Sequence, residues 1–481
     1  MPVRKNIYFV SLGCPKNRVD SEVMIGVAEG AGYQLVGDPE SAHTIVVNTC
    51  GFIGEAKKES IDTIFELAEL KKEGGLKKLV VAGCLSQRYP QELANEMPEV
   101  DHFLGTSDML KLGDVLRGDE DDRMLVGNPA DWVIRASDPR VRTGPRASAY
   151  VKIAEGCNRT CSFCTIPQFR GKQRSRTIDD VVREVEQLAA DGTREINLIS
   201  QDTIAYGRDL RGSELRGSEG QGERTRLASL VRRVAEVKGI HWVRLFYLYP
   251  ETLDGELVEL IASHPRVVPY VDMPLQHAAD AMLNRMKRGH GIDRQKRVVE
   301  GLRKKIPDLV FRTAFIVGHP GESDAEFQEL CDFVEWARFD HVGVFRYSDE
   351  DSCGSFGLDA KVPTKVASSR NRKLMSLQRK IARARNRARI GQTVEVLVEG
   401  TSDEHEFVMK GRHAGQAPDI DGQVFLSGAE VQPGDFRRVL ISQASDYDLV
   451  GEVVEEPSLA GPAGGPLATA KKRRVGLRVV A

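Results

Sequence analysis

Three cysteines lie within eight residues of one another in the stretch CNRTCSFC, at Cys157, Cys161 and Cys164. Cysteine thiolates bind zinc and iron-sulfur clusters. Structural zinc sites are nearly always closed by four ligands, and no fourth ligand is close in sequence, where the nearest other histidines and cysteines are His102, Cys84 and His241. An iron-sulfur cubane fits better, because its thiolates bind separate irons, and three of them leave one iron open for a substrate.

Three further cysteines, Cys14, Cys50 and Cys84, each end a short β-branched run, IYFVSLGC, TIVVNTC or KLVVAGC. The runs recur at intervals of 36 and 34 residues and are followed by helix-like segments, which predicts βα units of a parallel sheet. Ligands bind at the carboxyl edge of such sheets. One cysteine there would be interpreted as a small buried hydrophobe, but three strands that end alike predict a shared functional edge.

From Tyr150 onward, six apolar runs alternate with amphipathic stretches such as residues 178–191 and 227–238. This alternation predicts six βα units of a parallel sheet that form a partly closed barrel. The CNRTCSFC motif directly follows the first predicted strand, AYVKIAEG. Residues 207–226 are almost free of apolar side chains and are predicted to be a mobile loop insertion.

After Pro363, a basic helix-like stretch precedes short strands that extend to about Glu456, which predicts a small antiparallel β-barrel. The remaining tail is rich in Pro, Gly and Ala and is predicted to be disordered. The fold class is therefore α/β and multidomain. The predicted units are a flavodoxin-like parallel α/β domain (1–120), a linker (121–142), a partial (βα)6 barrel (143–374), the basic helix with the β-barrel (375–456) and the tail (457–481).

The composition is that of a large enzyme-sized protein, with 481 residues, 41% of them hydrophobic, and a formal net charge of −2. This charge gives no general attraction to nucleic acid. No stretch approaches the roughly 18 apolar residues needed to cross a membrane, so we expect a cytoplasmic protein without a membrane partner. Its eight cysteines are expected to be reduced thiols or metal ligands, with Cys331 in the core.

The CxxxCxxC spacing after the first strand of a six-unit barrel, with Phe163 before the last cysteine, resembles the radical S-adenosylmethionine (SAM) enzymes. Together with the domain ahead of it and the small barrel behind, almost the whole chain is similar to their methylthiotransferase family. The resemblance implies SAM and two 4Fe-4S clusters as cofactors, and a TRAM domain as the trailing barrel. The implied ligands are Cys157, Cys161 and Cys164 for the SAM-cleaving cluster, and Cys14, Cys50 and Cys84 for an auxiliary cluster that delivers sulfur.

Residues at the strand exits are predicted to contact SAM. The candidates are Gln201, Asp202, Gln276, Gly318, Gly321 and Glu322. The glycines would allow close approach of the backbone. His277 and His319 are predicted to be structural, and no catalytic residue is predicted beyond the cluster ligands.

Two branches of the family differ in substrate. One modifies an adenosine beside the tRNA anticodon, and the other modifies the β-carbon of an aspartate in small-subunit ribosomal protein S-twelve. Four stretches resemble the second branch: IPQFRGKQRSR, LISQDTIAYG, DMPLQH and RVLISQASDYDLVGEV. We therefore expect a monomeric aspartate methylthiotransferase that acts on this protein, free or in the ribosomal subunit, with electron and sulfur donors that the sequence does not identify. The alternatives are a tRNA adenosine methylthiotransferase and, from another class, a zinc-containing RNA-binding protein.

Charge gives a separate argument about the partner. From Gly391 to Glu456, fourteen acidic residues stand against four basic ones, a net charge of −10. A barrel that grips RNA should be basic, so this one favours a basic protein partner, although an ordinary solvated surface would look the same. The stretch from Arg370 to Arg389 is strongly basic, and of its two interpretations, contact with ribosomal RNA or a solvated helix face, we favour the second. The run FRGKQRSR is interpreted as charge that lines the cavity where an aspartate enters.

Overall fold

The computed structural model describes residues 5–72, 74–210, 226–250, 253–402, 407–428, 430–454 and 478–480. Most of the predicted loop insertion and most of the predicted disordered tail lie outside these residues. Within them, no helix is long and apolar enough to cross a membrane. The chain forms a parallel sheet, a second parallel sheet and a closed barrel, in that order.

The N-terminal domain is a parallel sheet covered by helices on both faces. Its elements are β1 (Asn6–Leu12), α1 (Pro15–Gly30), β2 (Gln34–Leu35), β3 (Thr44–Thr49), α2 (Gly54–Lys72), β4 (Lys78–Gly83), α3 (Cys84–Arg88), α4 (Pro90–Glu96), β5 (His102–Leu104), α5 (Leu112–Arg117) and β6 (Met124–Leu125). The strand order β2-β1-β3-β4-β5-β6 is the predicted flavodoxin-like order. The central strands are continuous apolar runs because both faces are buried: Val47 and Val81 pack on one side, Val46 and Val80 on the other.

The central domain confirms the six predicted βα units. Its elements are β7 (Ser148–Lys152), β8 (Ala154–Glu155), α6 (Ile166–Arg170), β9 (Arg174–Ser175), α7 (Ile178–Ala190), β10 (Glu195–Ile199), α8 (Arg226–Glu236), β11 (Trp242–Leu245), α9 (Gly255–Ser263), β12 (Val267–Asp272), α10 (Asp280–Arg285), α11 (Ile292–Lys305), β13 (Val310–Val317), α12 (Asp324–Ala337) and β14 (His341–Arg346). The six long strands pair in parallel in the order β14-β13-β12-β11-β10-β7. The short strands β8 and β9 form an antiparallel pair around the cysteine motif. Cys331 lies in the core of this domain, as predicted.

The C-terminal domain consists of a long helix and a five-stranded closed barrel. Its elements are α13 (Thr364–Arg387), β15 (Thr393–Thr401), β16 (Met409–His413), β17 (Val424–Ser427), β18 (Phe436–Ala444) and β19 (Leu449–Val453). The prediction of an antiparallel barrel is wrong for one pair, because β17 and β19 run in parallel. The domain boundary predicted after residue 374 falls inside α13.

Two strands lie where the sequence predicted none. β6 falls within the predicted linker and extends the first sheet to Leu125. A last strand, β20 (Arg478–Val480), pairs in parallel with Val10–Leu12 of β1, so these three residues of the predicted disordered tail are ordered. The reason is that β2 pairs only with Asn6 and Ile7, which leaves the rest of this edge of β1 open for another strand.

A buried ion network fixes the barrel to the central domain. The carboxylate of Glu195, at the start of β10, accepts hydrogen bonds from Arg244 Nη2 at 3.0 Å and from Arg412 Nη2 of the barrel at 2.5 Å. All three side chains are buried. Burial by itself would raise the pKa of Glu195, but Arg412 and Arg244 outweigh it and lower that pKa from 4.5 to about 2.

Replacing Glu195 by Gln is expected to lower the free energy of unfolding by about 3–5 kcal/mol at pH 7, because two guanidinium groups lose a buried counter-charge. The matched control is Glu395→Gln, whose carboxylate pairs with His241 and is 36% exposed, and which should change this free energy by less than about 1 kcal/mol. Denaturant titration measures both. Since folding depresses the pKa of Glu195, its contribution is complete above pH 4.5 and is lost as the pH falls toward 2. If the Glu195→Gln variant had the same loss in free energy of unfolding, relative to the parent, at pH 2 as at neutral pH, this explanation would be wrong.

Candidate functional site

The first three cysteines come together at the carboxyl edge of the N-terminal sheet. Cys14, Cys50 and Cys84 follow the ends of β1, β3 and β4. A Cβ placed on Gly13 would lie 2.8 Å from the Cβ and 3.2 Å from the Sγ of Cys50, and Gly13 has a φ of +90° that favours glycine. A Cβ on Gly51 would lie 2.8 Å from the carbonyl oxygen of Cys84. The structure therefore brings the three predicted ligands together through closely packed strand ends.

Asn17, in the first turn of α1, ties two of these strand ends together. Its Nδ2 donates to the carbonyl oxygens of Leu12 and Thr49, each at 2.9 Å. In return, Asn48 Nδ2 donates to the Asn17 carbonyl oxygen at 2.8 Å. All of these groups are buried, so the hydrogen bonds hold the Cys14 and Cys50 backbones in a fixed relation.

The second set of cysteines lies in the loop between β8 and α6. Gly156, with a φ of +82°, turns the chain into this loop. The Cys157 N–H donates to the Gly171 carbonyl at 3.1 Å, and the Cys164 N–H donates to the Cys161 carbonyl at 3.1 Å. Arg288, from the loop after α10, places Nη1 3.3 Å from the Cys161 Sγ. The loop is therefore closed on itself with its thiols on one side, next to a cation.

Burial raises the pKa of four of these thiols, two in each set. It raises the pKa of Cys50 to about 12 and that of Cys84 to about 11. In the second set, burial raises the pKa of Cys157 to about 11 and that of Cys164 to about 12. Among the described residues, no three Cys, His, Asp or Glu side chains converge tightly enough to bind a single metal ion.

Arg170 connects the two sets. It ends α6, six residues after Cys164, yet its Nε and Nη2 lie 3.3 Å and 3.1 Å from the Sγ of Cys84 in the other domain. Its Nη2 also donates to Asn17 Oδ1 at 2.6 Å. The side chain is 3% exposed. One guanidinium from the segment that follows the second cysteine set thus contacts a cysteine of the first set, across the interface between the two domains.

The charge of Arg170 is matched by a buried network. Arg170 Nη1 lies 2.8 Å from Asp20 and 3.3 Å from Glu155, while Lys152 Nζ lies 2.6 Å from Asp20 and also contacts Glu155. The two cations and two anions balance, and α1 contributes one anion to a cluster otherwise built by the central domain. Burial would raise the pKa of Glu155, but Lys152 and Arg170 lower it to about 2.

Lys16 is a second buried cation at this interface. Its Nζ lies 3.2 Å above the ring centroid of Tyr247, and the residue is 8% exposed. Burial lowers its pKa to about 8. Within the described ranges, Lys16 has no carboxylate at ion-pair distance, in contrast to Arg170 and Lys152.

Two of the predicted SAM contacts present unsatisfied polar atoms at the exit of β10. Gln201 Oε1 and Asp202 Oδ1 are buried and have no hydrogen-bond partner among the described residues, and neither has the neighbouring Gln173 Oε1. The other oxygen of Asp202 accepts from Arg159 in the cysteine loop at 2.7 Å. Buried acceptors are normally satisfied, so these three oxygens fit a ligand that offers N–H or O–H donors, as the amino and ribose groups of SAM do.

The other four predicted contacts are engaged with the protein. Other parts of the protein already lie against the two glycines. A Cβ added to Gly318 would lie 2.5 Å from Ala367, and one added to Gly321 would lie 2.9 Å from Arg285. Glu322 is fully buried, 3.2 Å from His277 and 2.8 Å from Arg370. Gln276 has a φ of +73°, and its backbone N–H donates to Ala314 at 2.8 Å. These contacts explain the residues structurally, and their contact with SAM stays a prediction.

The histidines of these strand exits also have structural partners. His277 Nδ1 accepts from the Ala279 N–H at 3.0 Å. His319 Nε2 lies 2.8 Å from Ser355 Oγ, and burial lowers the pKa of His319 to about 4. This agrees with the structural role that the sequence predicted for both.

Sequence reasoning assigned no role to Lys16, Asn17 or Arg288, and it treated Arg170 only as part of a basic run. The structure shows that this run is paired within the protein: Arg176 with Asp180 at 2.7 Å, and Arg174 with the Pro129 carbonyl at 2.6 Å. The available signal was the position of Arg170 shortly after the cysteine motif.

Comparison with known proteins assigns the three domains. Residues 6–105 match the uncharacterized protein family UPF0004, residues 151–334 the radical SAM superfamily and residues 390–454 the TRAM domain. Among solved structures, the radical SAM methyltransferase TsrM of Kitasatospora setae, with cobalamin and a [4Fe-4S] cluster bound, superposes with a TM-score of 0.53 over 73% of this chain and 77% of its own, at 15% identity. At that identity, the likeness shows the fold alone.

Full-length relatives are more informative. The chain is 68% identical to the ribosomal protein uS12 methylthiotransferase RimO of Sorangium cellulosum (strain So ce56), over 99% of this chain and 97% of that protein. It is 48% identical to the RimO of Myxococcus xanthus (strain DK1622), over 94% of this chain and 92% of that protein. The chain therefore belongs to the RimO family of radical SAM methylthiotransferases.

Proposed function

We propose that this chain transfers a methylthio group to the β-carbon of an aspartate in ribosomal protein uS12, the S-twelve protein of the sequence analysis. The names of its full-length relatives supply the substrate. The observation that carries the proposal is the contact of Arg170 with Cys84, because it links the segment after one cysteine set to a cysteine of the other. Neither a tRNA substrate nor a structural zinc protein is favoured by these relatives.

The residues present fit two iron-sulfur clusters. Cys157, Cys161 and Cys164 would hold one cluster together with SAM, and the first three cysteines would hold the other. Bound there, the clusters and SAM would supply the radical that removes hydrogen and the sulfur that replaces it. The protein must hold the two sites in register and exclude water, which the buried network around Arg170 does.

The substrate aspartate needs a cation in this space. Arg170 does not serve, since its three nitrogens already contact Cys84, Asn17, Asp20 and Glu155. Lys16 does, because it is buried, lies over the Tyr247 ring and has no carboxylate partner in the described part of the chain. A carboxylate that enters beside Cys14 would complete its hydrogen bonding. We assign Lys16 the role of orienting the substrate aspartate.

The proposed activity is tested with the purified chain, reconstituted anaerobically with iron and sulfide and supplied with SAM and a reductant. Mass spectrometry should find a methylthio group on an aspartate of uS12, and none on tRNA treated in parallel. Cys84→Ala should lose about half of the bound iron and all methylthio transfer while it still forms 5′-deoxyadenosine, whereas Cys161→Ala should lose both activities. Modified tRNA with unmodified uS12, or one equivalent of zinc without iron, would overturn the proposal.

Replacing Arg170 by Gln is expected to uncouple SAM cleavage from sulfur transfer. The variant loses both N–H donors to Cys84 and unbalances two buried carboxylates, a change that typically costs about 3–5 kcal/mol. The reduction potential of the auxiliary cluster should become more negative, since N–H donors to sulfur favour the reduced state, and the ratio of 5′-deoxyadenosine to product should rise. The control is Arg174→Gln, which removes only donors to backbone carbonyls. An unchanged potential and an unchanged ratio in the Arg170 variant would contradict the role.

Replacing Lys16 by Met keeps the aliphatic stem and removes the charge. If Lys16 orients the aspartate, kcat/KM for uS12 should fall at least about thirtyfold, since a buried charge pair that loses one partner costs 2 kcal/mol or more. The rate of uncoupled 5′-deoxyadenosine formation should be retained. Lys172→Met, at an exposed lysine near the same cysteine loop, is the control. Equal losses in the two variants, or loss of SAM cleavage with Lys16→Met, would argue against substrate binding.

A further inference from the structure

The long helix α13 has a composition that its own surroundings do not explain. Its 24 residues include nine basic residues and no acidic residue. The buried face consists of Ala367, Arg370, Leu374, Gln378, Ile381 and Ala382. On the opposite face, four exposed arginines form a line that we call the basic stripe: Arg372, Arg379, Arg383 and Arg387. With a rise of 1.5 Å per residue, the stripe is about 22 Å long.

The basic stripe is only partly neutralised: Arg383, Arg379 and Arg387 all lower the pKa of Asp446, which lies at its end. Arg383 pairs with Asp446 at 2.5 Å, while the other three arginines make no ion pair with any described residue. Consecutive members at positions 379, 383 and 387 are four residues apart, a spacing at which like charges destabilise a helix. Solvated helix faces usually mix both signs. A face that keeps this repulsion is therefore expected to meet an anionic partner.

The stripe ends at a groove between α13 and the turn that carries Tyr447. The groove, of about 500 Å³, is lined by Arg383, Arg387 and the turn Ala444–Asp446 between β18 and β19. The next residue of this turn, Tyr447, is 45% exposed. Asn386 of α13 donates to the Asp446 carbonyl at 3.3 Å, which holds the turn against the helix. A line of arginines next to an exposed ring is the combination that binds single-stranded nucleic acid, by phosphate pairing and base stacking.

We propose that the basic stripe and Tyr447 bind a single-stranded segment of ribosomal RNA, so that the chain recognises uS12 within the small ribosomal subunit rather than as the free protein. The identity of the RNA rests on the proposed function, whereas the RNA-binding surface rests on α13 alone. This replaces the interpretation of these arginines as a merely solvated face. The barrel would then lie beside the protein substrate while the helix before it contacts the RNA around it.

The test compares two triple variants of the full chain that remove the same charge. Arg372→Gln, Arg379→Gln and Arg387→Gln together remove most of the stripe. The matched control is Arg297→Gln, Lys304→Gln and Lys305→Gln on α11, where all three side chains are also exposed. Fluorescence anisotropy measures the binding of a labelled single-stranded oligoribonucleotide, taken from the rRNA next to uS12, across a range of salt concentrations, and intact small subunits compete.

The stripe variant should bind about a hundredfold more weakly at 0.1 M salt. The slope of its log affinity against log salt should be shallower by about two, since each single-strand phosphate contact contributes about 0.7. Tyr447→Ala should weaken binding about tenfold without changing the slope, because stacking is uncharged. Thermal unfolding should show the stripe variant to be folded and no less stable than the parent, since like-charge repulsion is relieved. The inference would be overturned if the stripe variant kept the parent's slope of log affinity against log salt. It would also be overturned if the α11 control lost as much RNA affinity as the stripe variant.

The outcomes separate this inference from the proposed function, because RNA binding is measured without SAM or turnover. If the chain bound RNA through the stripe but did not modify uS12, the proposed function would be wrong and this inference would stand. If the chain modified uS12 but its RNA binding did not depend on the stripe, this inference would be wrong and the proposed function would stand. If both hold, the stripe variant should also raise KM for small subunits.

Discussion

The alignment of the two cysteine sets depends on one buried guanidinium, that of Arg170. A hydrophobic cluster joins all three domains, with Val23 of α1, Phe246 of the central domain and Phe436 of the barrel among its members. It includes none of the six cysteines that form the two sets, so it does not by itself bring those sets together. Arg170 does, because its planar fork reaches Cys84, Asn17 and Asp20 in one domain while it pairs with Glu155 in its own. A lysine has one nitrogen and cannot span these groups. The candidate site is therefore a property of the docked domains, and neither domain contains it alone.

Burying charged groups costs free energy, and the arrangement of these groups shows which structural effect offsets that cost. Replacing a buried ion network by apolar residues is often neutral or stabilising, so stability alone does not account for Asp20, Lys152, Glu155 and Arg170. Their contacts cross from α1 to the segments around the cysteine loop, and a shift of either domain would leave a charge unpaired. The network thus makes one relative placement much more favourable than its neighbours. Glu195, between Arg244 and Arg412, has the same effect where the barrel docks.

Much of the fold was predictable because local patterns encode it. The β-branched runs that end at Cys14, Cys50 and Cys84 gave the parallel strands, and parallel strands bring their carboxyl ends to one edge. The roles of Arg170 and Lys16 were not predictable, since they depend on partners up to 231 positions away in sequence, such as Tyr247. β20 was not predicted for a related reason. A three-residue strand has no periodic sequence signal, and it forms because part of the edge of β1 is left unpaired by β2. Gly318 likewise has no local explanation, because Ala367 of α13, far away in sequence, occupies the space beside it.

Charge counted along a sequence also differs from charge on a surface, and the barrel shows how. Two of its fourteen acidic residues are internal: Glu399 pairs with Arg412 at 2.8 Å, and Asp421 accepts from Tyr270 at 2.7 Å. The net charge of −10 therefore overstates what a partner would meet, and the choice of uS12 over tRNA rests on the full-length relatives instead. The basic stripe differs, because its charges are exposed and α13 has no acid to offset them. A chain whose net charge is only −2 thus presents a concentrated positive face beside a mildly acidic barrel, which is the pattern expected for a partner made of basic protein and RNA together.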